Sequence, residues 1–281
     1  MRLVEEVAAP ATIQEATAFM KRRPDCVPWA GGTVLSTDDD AWPQSGPVPL
    51  MDIRNLTELK GINRSSVYVE IGSAATLNAI IRLPGGLGLG MLRETCLSAG
   101  TAFTRNLATL GGNLCTTHRF MSCMPVLYCM DASLELREHG AQRWYGLGRL
   151  VDENGKPRPL NGALLTRVRI PQASWSTWAV RPIGTYRYPH PQAATFAAAA
   201  RFEHGALAEL RIASAGSVLV RERAIELSLV GKKLPLQNRD VEDFAQGLLD
   251  KAIALGSAGD FAERIAGLAA AFLDRAPEEA L

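Results

Sequence analysis

Two glycine pairs, Gly31-Gly32 and Gly111-Gly112, stand about 80 residues apart, and each is followed by a small polar side chain. The first lies in Trp29-Ala30-Gly31-Gly32-Thr33-Val34-Leu35, directly after a short apolar stretch. Paired glycines after a strand let the backbone approach a bulky anion, and their N–H groups can form a nest for phosphate oxygens. Thr33 adds a hydroxyl. An ordinary tight turn also accepts this sequence. The second pair lies in Arg105-Asn106-Leu107-Ala108-Thr109-Leu110-Gly111-Gly112-Asn113. It offers backbone donors again, with Thr109 and Asn113 as side-chain partners for phosphate or ribose and Arg105 as a charge. Neither is Gly-x-Gly-x-x-Gly or a P-loop, so the standard nicotinamide and nucleoside triphosphate fingerprints are absent. Two such loops argue for one extended dinucleotide lying between two lobes.

The rest of the chain supports an α/β opening. Thr12 reads as the cap of an amphipathic helix with Glu15 three residues on, and Lys21-Arg22-Arg23 and Pro24 close it. Val27–Ala30, Val48–Ile53 and Val67–Ser73 read as strands. Short helices are expected from Thr76, over 87–99 and over Ser122–Met130. Strands follow at Ala132–Arg137 and Ala163–Ile170, with residues 140–162 between them polar and loop-like. Pro171, Pro182, Pro189 and Pro191 mark a junction with a strand near Trp178–Arg181. Beyond it, Gln192–Phe202 and Ala206–Ser214 read as a hairpin around His204-Gly205, and helices at about 221–230, 239–254 and 259–274 finish the chain.

Composition narrows the function classes. With 281 residues, 47% hydrophobic and 21% charged, the chain is too apolar for disorder and long enough for two domains. The net charge is +1, which gives no case for nucleic acid, where a basic face would be expected. Residues 240–281 hold nine acidic and three basic side chains, a separate acidic element. No apolar run reaches the ~18–20 residues that span a bilayer. The first residues carry two acids and no apolar core, unlike a secretory signal, so the cytoplasm is the expected location, with five reduced cysteines.

On these motifs the chain resembles the FAD-binding medium subunit of the molybdenum hydroxylases, the xanthine dehydrogenase and carbon monoxide dehydrogenase group. The resemblance rests on Ala30–Thr33, Leu50–Arg54 with Leu59–Ile62, Val69–Ser73 with Thr76-Leu77, Arg105–Asn113, Ala213–Ser217 and Gly231–Leu234. It implies an α+β fold: an FAD domain of the vanillyl-alcohol oxidase-like type at 1–174, with two α/β subdomains at about 1–55 and 56–174. A smaller α+β domain with a short antiparallel sheet and helices would occupy 175–281. It implies FAD on Trp29–Leu35 (through Ala30, Gly31, Gly32, Thr33 and Val34) and on Thr109, Leu110, Gly111, Gly112 and Asn113, with further contacts near Leu165 and Arg181. It also implies an oxidoreductase subunit of a heteromeric complex, without catalytic residues or metal ligands of its own. Electrons would come from [2Fe-2S] clusters on a small subunit, with molybdopterin on a large one, and leave for NAD, a quinone or oxygen.

The chain departs from that family in three places. Ser122 stands where relatives place an acid that helps hold ribose, so it contributes one hydrogen bond without the carboxylate's charge. Cys115, Cys123 and Cys129 gather near His118, but their spacing matches no metal pattern, and the bland reading is small buried hydrophobes, as for Cys26 and Cys96. Asp38-Asp39-Asp40 follows the first glycine loop where relatives continue into an apolar helix. The acids read as solvated, with Asp38 or Asp39 capping a short helix. His139, His190 and His204 sit in loop contexts, and no nucleophile–base set is evident. A second reading, from Ser122 and the acidic triplet, is a structural docking subunit whose FAD site has decayed.

Overall fold

A computed structural model describes residues 3–44, 46–83, 89–138, 140–184 and 193–279. His139, His190, Pro189, Pro191 and the start of the helix expected at 87–99 lie outside the described residues.

Three sheets build the molecule, and the chain completes them in order. The first contains β1 (Val4–Ala8), β2 (Val27–Trp29) and β3 (Val48–Asp52), all parallel, with β3 in the middle. Helix α1 (Ile13–Arg22) joins β1 to β2. Its Thr12 hydroxyl accepts from Glu15 N–H at 3.1 Å, and the Glu15 carboxylate accepts from Ala11 N–H at 2.8 Å, a reciprocal cap. Ile13, Ala16, Phe19 and Met20 bury the helix against Met51 and Ile53. β1 had no sequence signature because four of its five residues are exposed.

The second sheet is antiparallel. It collects β4 (Ile62–Arg64), β5 (Tyr68–Gly72), β6 (Ser133–Glu138), β7 (Ala141–Gly146) and β8 (Leu164–Pro171) in the order β4-β5-β8-β6-β7. Between β5 and β6 run α2 (Leu77–Ile81), α3 (Gly90–Ser98), α4 (Ala102–Leu107), α5 (Leu110–Leu114) and α6 (Cys123–Cys129). β7 corrects the loop-like reading of 140–162. It is an edge strand that pairs only with β6, none of its residues is fully buried, and so its side chains carry no buried–exposed alternation.

The third sheet is antiparallel, in the order β12-β11-β10-β9. It contains β9 (Thr177–Ile183), β10 (Ala194–Glu203), β11 (Ala206–Ala215) and the short β12 (Leu219–Val220). The β10–β11 hairpin turns at His204 and Gly205, both at positive φ (51° and 72°), the conformation of a tight primed turn. Helices α7 (Arg223–Leu229), α8 (Asn238–Ala254) and α9 (Gly259–Glu279) follow. The alanine tract is strand and is buried on both sides. Ala197 and Ala199 belong to the core shared with the second sheet, while Ala198 and Ala200 belong to the core with Phe244, Leu248 and Phe272. The result is the mixed α+β architecture that the family resemblance implies. No described helix is long and apolar enough to cross a membrane.

Candidate functional site

A cleft of about 1190 Å³ opens where the three layers meet. One wall is the turn after β2, another the segment from α4 to α5. Part of the remainder comes from residues 158–165 and from the ends of β9 and β10. The two glycine motifs therefore share one cavity, although 80 residues separate them.

Close backbone approach explains two of the four motif glycines, Gly31 and Gly111. A Cβ on Gly31 would fall onto the Leu107 carbonyl at the end of α4. Gly32 has φ +66°, and a Cβ there would overlap the Trp29 ring. On Gly111 a Cβ would lie 2.8 Å from the Ser73 carbonyl oxygen. Gly112 differs: its nearest such neighbour is the Thr109 hydroxyl at 3.0 Å, and the residue is exposed on the cleft wall.

The first motif is open to a ligand. Among the described residues, no acceptor engages the N–H groups of Gly31, Gly32, Thr33, Val34 or Leu35, although the turn is closed by Ser36 N–H to Gly32 O at 2.9 Å and Asp38 N–H to Val34 O at 2.9 Å. Five consecutive amides beside a cavity are an anion-binding surface. The second motif corrects the expectation of free backbone donors. Its residues form α5, with Thr109 as the cap accepting from Gly112 N–H at 3.1 Å. Leu110 N–H donates to Ala75 O at 3.0 Å and Gly111 N–H to Ser73 O at 2.7 Å. Those amides fasten the motif to the segment just past β5, where Thr109 also forms an isolated bridge with Thr76. The Thr-x-x-Gly capping spacing was the available signal. Asn113 turns its Oδ1 to Cys123 N–H at 2.9 Å, which orients α6.

Ala30, Gly31, Gly32, Thr33, Val34 and Leu35 line the cleft, as do Thr109, Gly111, Gly112, Asn113, Ser122 and Leu165. Trp29, Leu110 and Arg181 are not among the wall residues. Trp29 backs Gly32, Leu110 is fully buried, and the half-exposed Arg181 faces Glu94 at 3.8 Å. Arg105, expected as a charge for the ligand, instead donates to the Leu97 and Gly100 carbonyls at 3.1 and 2.9 Å.

Sequence reasoning missed two features. Arg119 is 7% exposed and lies on the cleft wall. Asp38, read as solvated, is buried, and its Oδ2 lies 2.9 Å from His118 Nε2. That pair links the first glycine loop to the segment after the second. Asp38 also caps a single 3-10 turn by accepting from Asp40 N–H at 3.2 Å, while Asp39 and Asp40 are exposed. A pairing across 80 residues leaves no local pattern to read.

Four cysteines are small buried side chains, and Cys115 corrects that reading because it is exposed on the cleft wall. Burial pushes the Cys129 thiol up to about 12, and its Sγ–H donates to Ala197 O at 3.4 Å. A hydrogen bond with Cys123 and burial push Cys96 up strongly. Among the described residues no cluster of three or more His, Cys, Asp or Glu side chains could hold a metal ion.

The family described as FAD binding domain in molybdopterin dehydrogenase matches residues 3–173. The nicotinate dehydrogenase FAD-subunit of Eubacterium barkeri is 29% identical over 157 residues, 54% of this chain and 52% of that one. The carbon monoxide dehydrogenase medium chain of Afipia carboxidovorans is 28% identical over 172 residues, 58% and 57% of the two chains. The match spans little more than half the length of either relative. Among solved structures, carbon monoxide dehydrogenase from Hydrogenophaga pseudoflava superposes with a TM-score of 0.79 at 23% identity, covering 100% of this chain and 98% of that one. Quinoline 2-oxidoreductase from Pseudomonas putida 86 gives 0.75 at 20% identity, covering 98% and 100%.

Proposed function

Because the chain belongs to the family of FAD-binding domains of molybdopterin dehydrogenases, we propose that it is the FAD-carrying electron-transfer subunit of a molybdenum hydroxylase-type complex. The observation that carries this reading is the run of five amides without protein acceptors, Gly31 to Leu35, on the wall of a cleft large enough for a dinucleotide. These amides would hold the diphosphate, and the Arg119 guanidinium would add positive charge nearby. Thr109, Asn113 and Ser122 would take the ribose hydroxyls, and Leu165 would give an apolar surface to a ring. Gly112 leaves room for the ligand because no side chain stands there.

Bound FAD would supply the redox chemistry, between [2Fe-2S] clusters on a small partner subunit and an acceptor such as NAD, a quinone or oxygen. Molybdopterin would sit on a large partner. The chain's own residues would bind, orient and shield, without acid–base work. Residues 1–174, with subdomains at about 1–55 and 56–174, would be the FAD-binding domain and 175–281 the C-terminal domain, a division supported by the extent of the family match. A docking subunit with a decayed site is disfavoured, since the run of uncommitted amides and a dinucleotide-sized cleft beside it are both kept. The test is the absorption spectrum of the purified complex and analysis of the nucleotide released on denaturation. Stoichiometric FAD is expected, and a complex without flavin overturns the reading.

A further inference from the structure

Phe103 is 77% exposed, the most exposed of the large apolar side chains among the described residues. It is not on the outer surface at random, because it lines the same cleft as the glycine loop. An aromatic ring left in water gains nothing from the fold itself.

The helix that carries it is held firmly. Thr101 caps α4 by accepting from Thr104 N–H at 3.2 Å. Arg105 ties the helix back to the Leu97 and Gly100 carbonyls. At the other end the Leu107 carbonyl abuts Gly31, the first residue of the open amide run. Phe103 precedes Leu107 by four residues, so it stands about 6 Å along the helix from that contact. Leu107 is on the same side, also exposed (45%) and also on the cleft wall.

We propose that Phe103 is the stacking platform for a planar heteroaromatic ring of the bound dinucleotide, the ring that extends from a diphosphate seated on residues 31–35. This rests on the FAD reading and assigns a positioning role within it. A rigid aromatic face beside a diphosphate cradle suits ring stacking, a geometry that a merely apolar side chain does not reproduce. The isoalloxazine and the adenine both have the required chemistry.

The experiment uses the full chain freed of nucleotide, titrated with FAD, FMN and ADP. Phe103→Ala and Phe103→Leu are expected to weaken FAD about tenfold, while Phe103→Tyr and Phe103→Trp keep wild-type affinity. Melting of the nucleotide-free protein should stay unchanged in all four, because the side chain packs on little. If the isoalloxazine is the partner, the loss appears with FMN and not ADP, and Phe103→Trp quenches bound-flavin fluorescence. If the adenine is the partner, the loss appears with ADP and not FMN. Equal FAD affinity in wild type and Phe103→Ala overturns the stack and leaves the FAD reading intact. Equal loss in all four variants also overturns it. A wild-type chain that binds none of the three ligands overturns both.

Discussion

Gly31 and Gly112 look alike in the sequence but have opposite tasks. A side chain on the first would meet a backbone carbonyl, whereas one on the second would stand on the cleft wall beside the Thr109 hydroxyl. Gly31→Ala is therefore expected to cost about 1–3 kcal/mol and to release flavin at the same time. Gly112→Ala should leave the unfolding midpoint within about 0.5 kcal/mol while lowering flavin occupancy. Urea unfolding and flavin content of the two variants separate these effects, and a Gly31→Ala protein of full stability would refute the assignment. The buried Asp38 carboxylate facing His118 makes a second case. Asp38→Asn is expected to cost about 1–3 kcal/mol, with a coupling energy above about 0.5 kcal/mol in a cycle with His118→Gln. Additive losses in that cycle would show that the 2.9 Å approach carries no energy.

Elements that pack through one regular face were legible, and elements that do not were missed. The α1 helix announced itself by Thr12, Glu15 and an apolar stripe, and β8 by the alternation of buried Val168 and Ile170 with Arg167 and Arg169. β1 and β7 lie at sheet edges with exposed side chains, and α4 and α5 are too short for a period to show. In the site, the open amides of the first loop followed from the Gly-Gly-Thr pattern. The spent amides of the second loop did not, because the Ser73 and Ala75 carbonyls that take them come from a distant strand end. Helix α7 gives a test at this scale. Its cap Glu222 meets Lys251 of α8 at 3.0 Å, and that hydrogen bond holds the carboxyl below the usual range. A lowered folded pKa means the stabilisation is present above the unfolded value, about 4.3, and is lost as pH falls through the folded one. Glu222→Gln should therefore cost up to about 1 kcal/mol at pH 7, and the difference should shrink in paired urea titrations as pH falls below the ordinary glutamate range. A cost that does not change with pH would place it in the cap rather than the ion pair.

Across the whole molecule, β10 ties the parts together, since alternate alanines face two different cores. Two predictions follow from this. Ala199→Leu, which adds three heavy atoms to a site with no exposed surface, should cost about 1–3 kcal/mol by overpacking, read as a lower urea midpoint. Residues 175–281 expressed alone should not form a stable fold, because the face with Ala197, Ala199, Ala213 and Ala215 would lose the second sheet's helices. Sharp, dispersed NMR lines from that fragment would contradict this. The contact between Gly31 and the Leu107 carbonyl has a consequence at the same scale. It sets the gap between two lobes by main-chain atoms alone, and main-chain dimensions are the same in every sequence. At this point the cleft thus has a spacer whose dimension does not depend on which side chains stand around it.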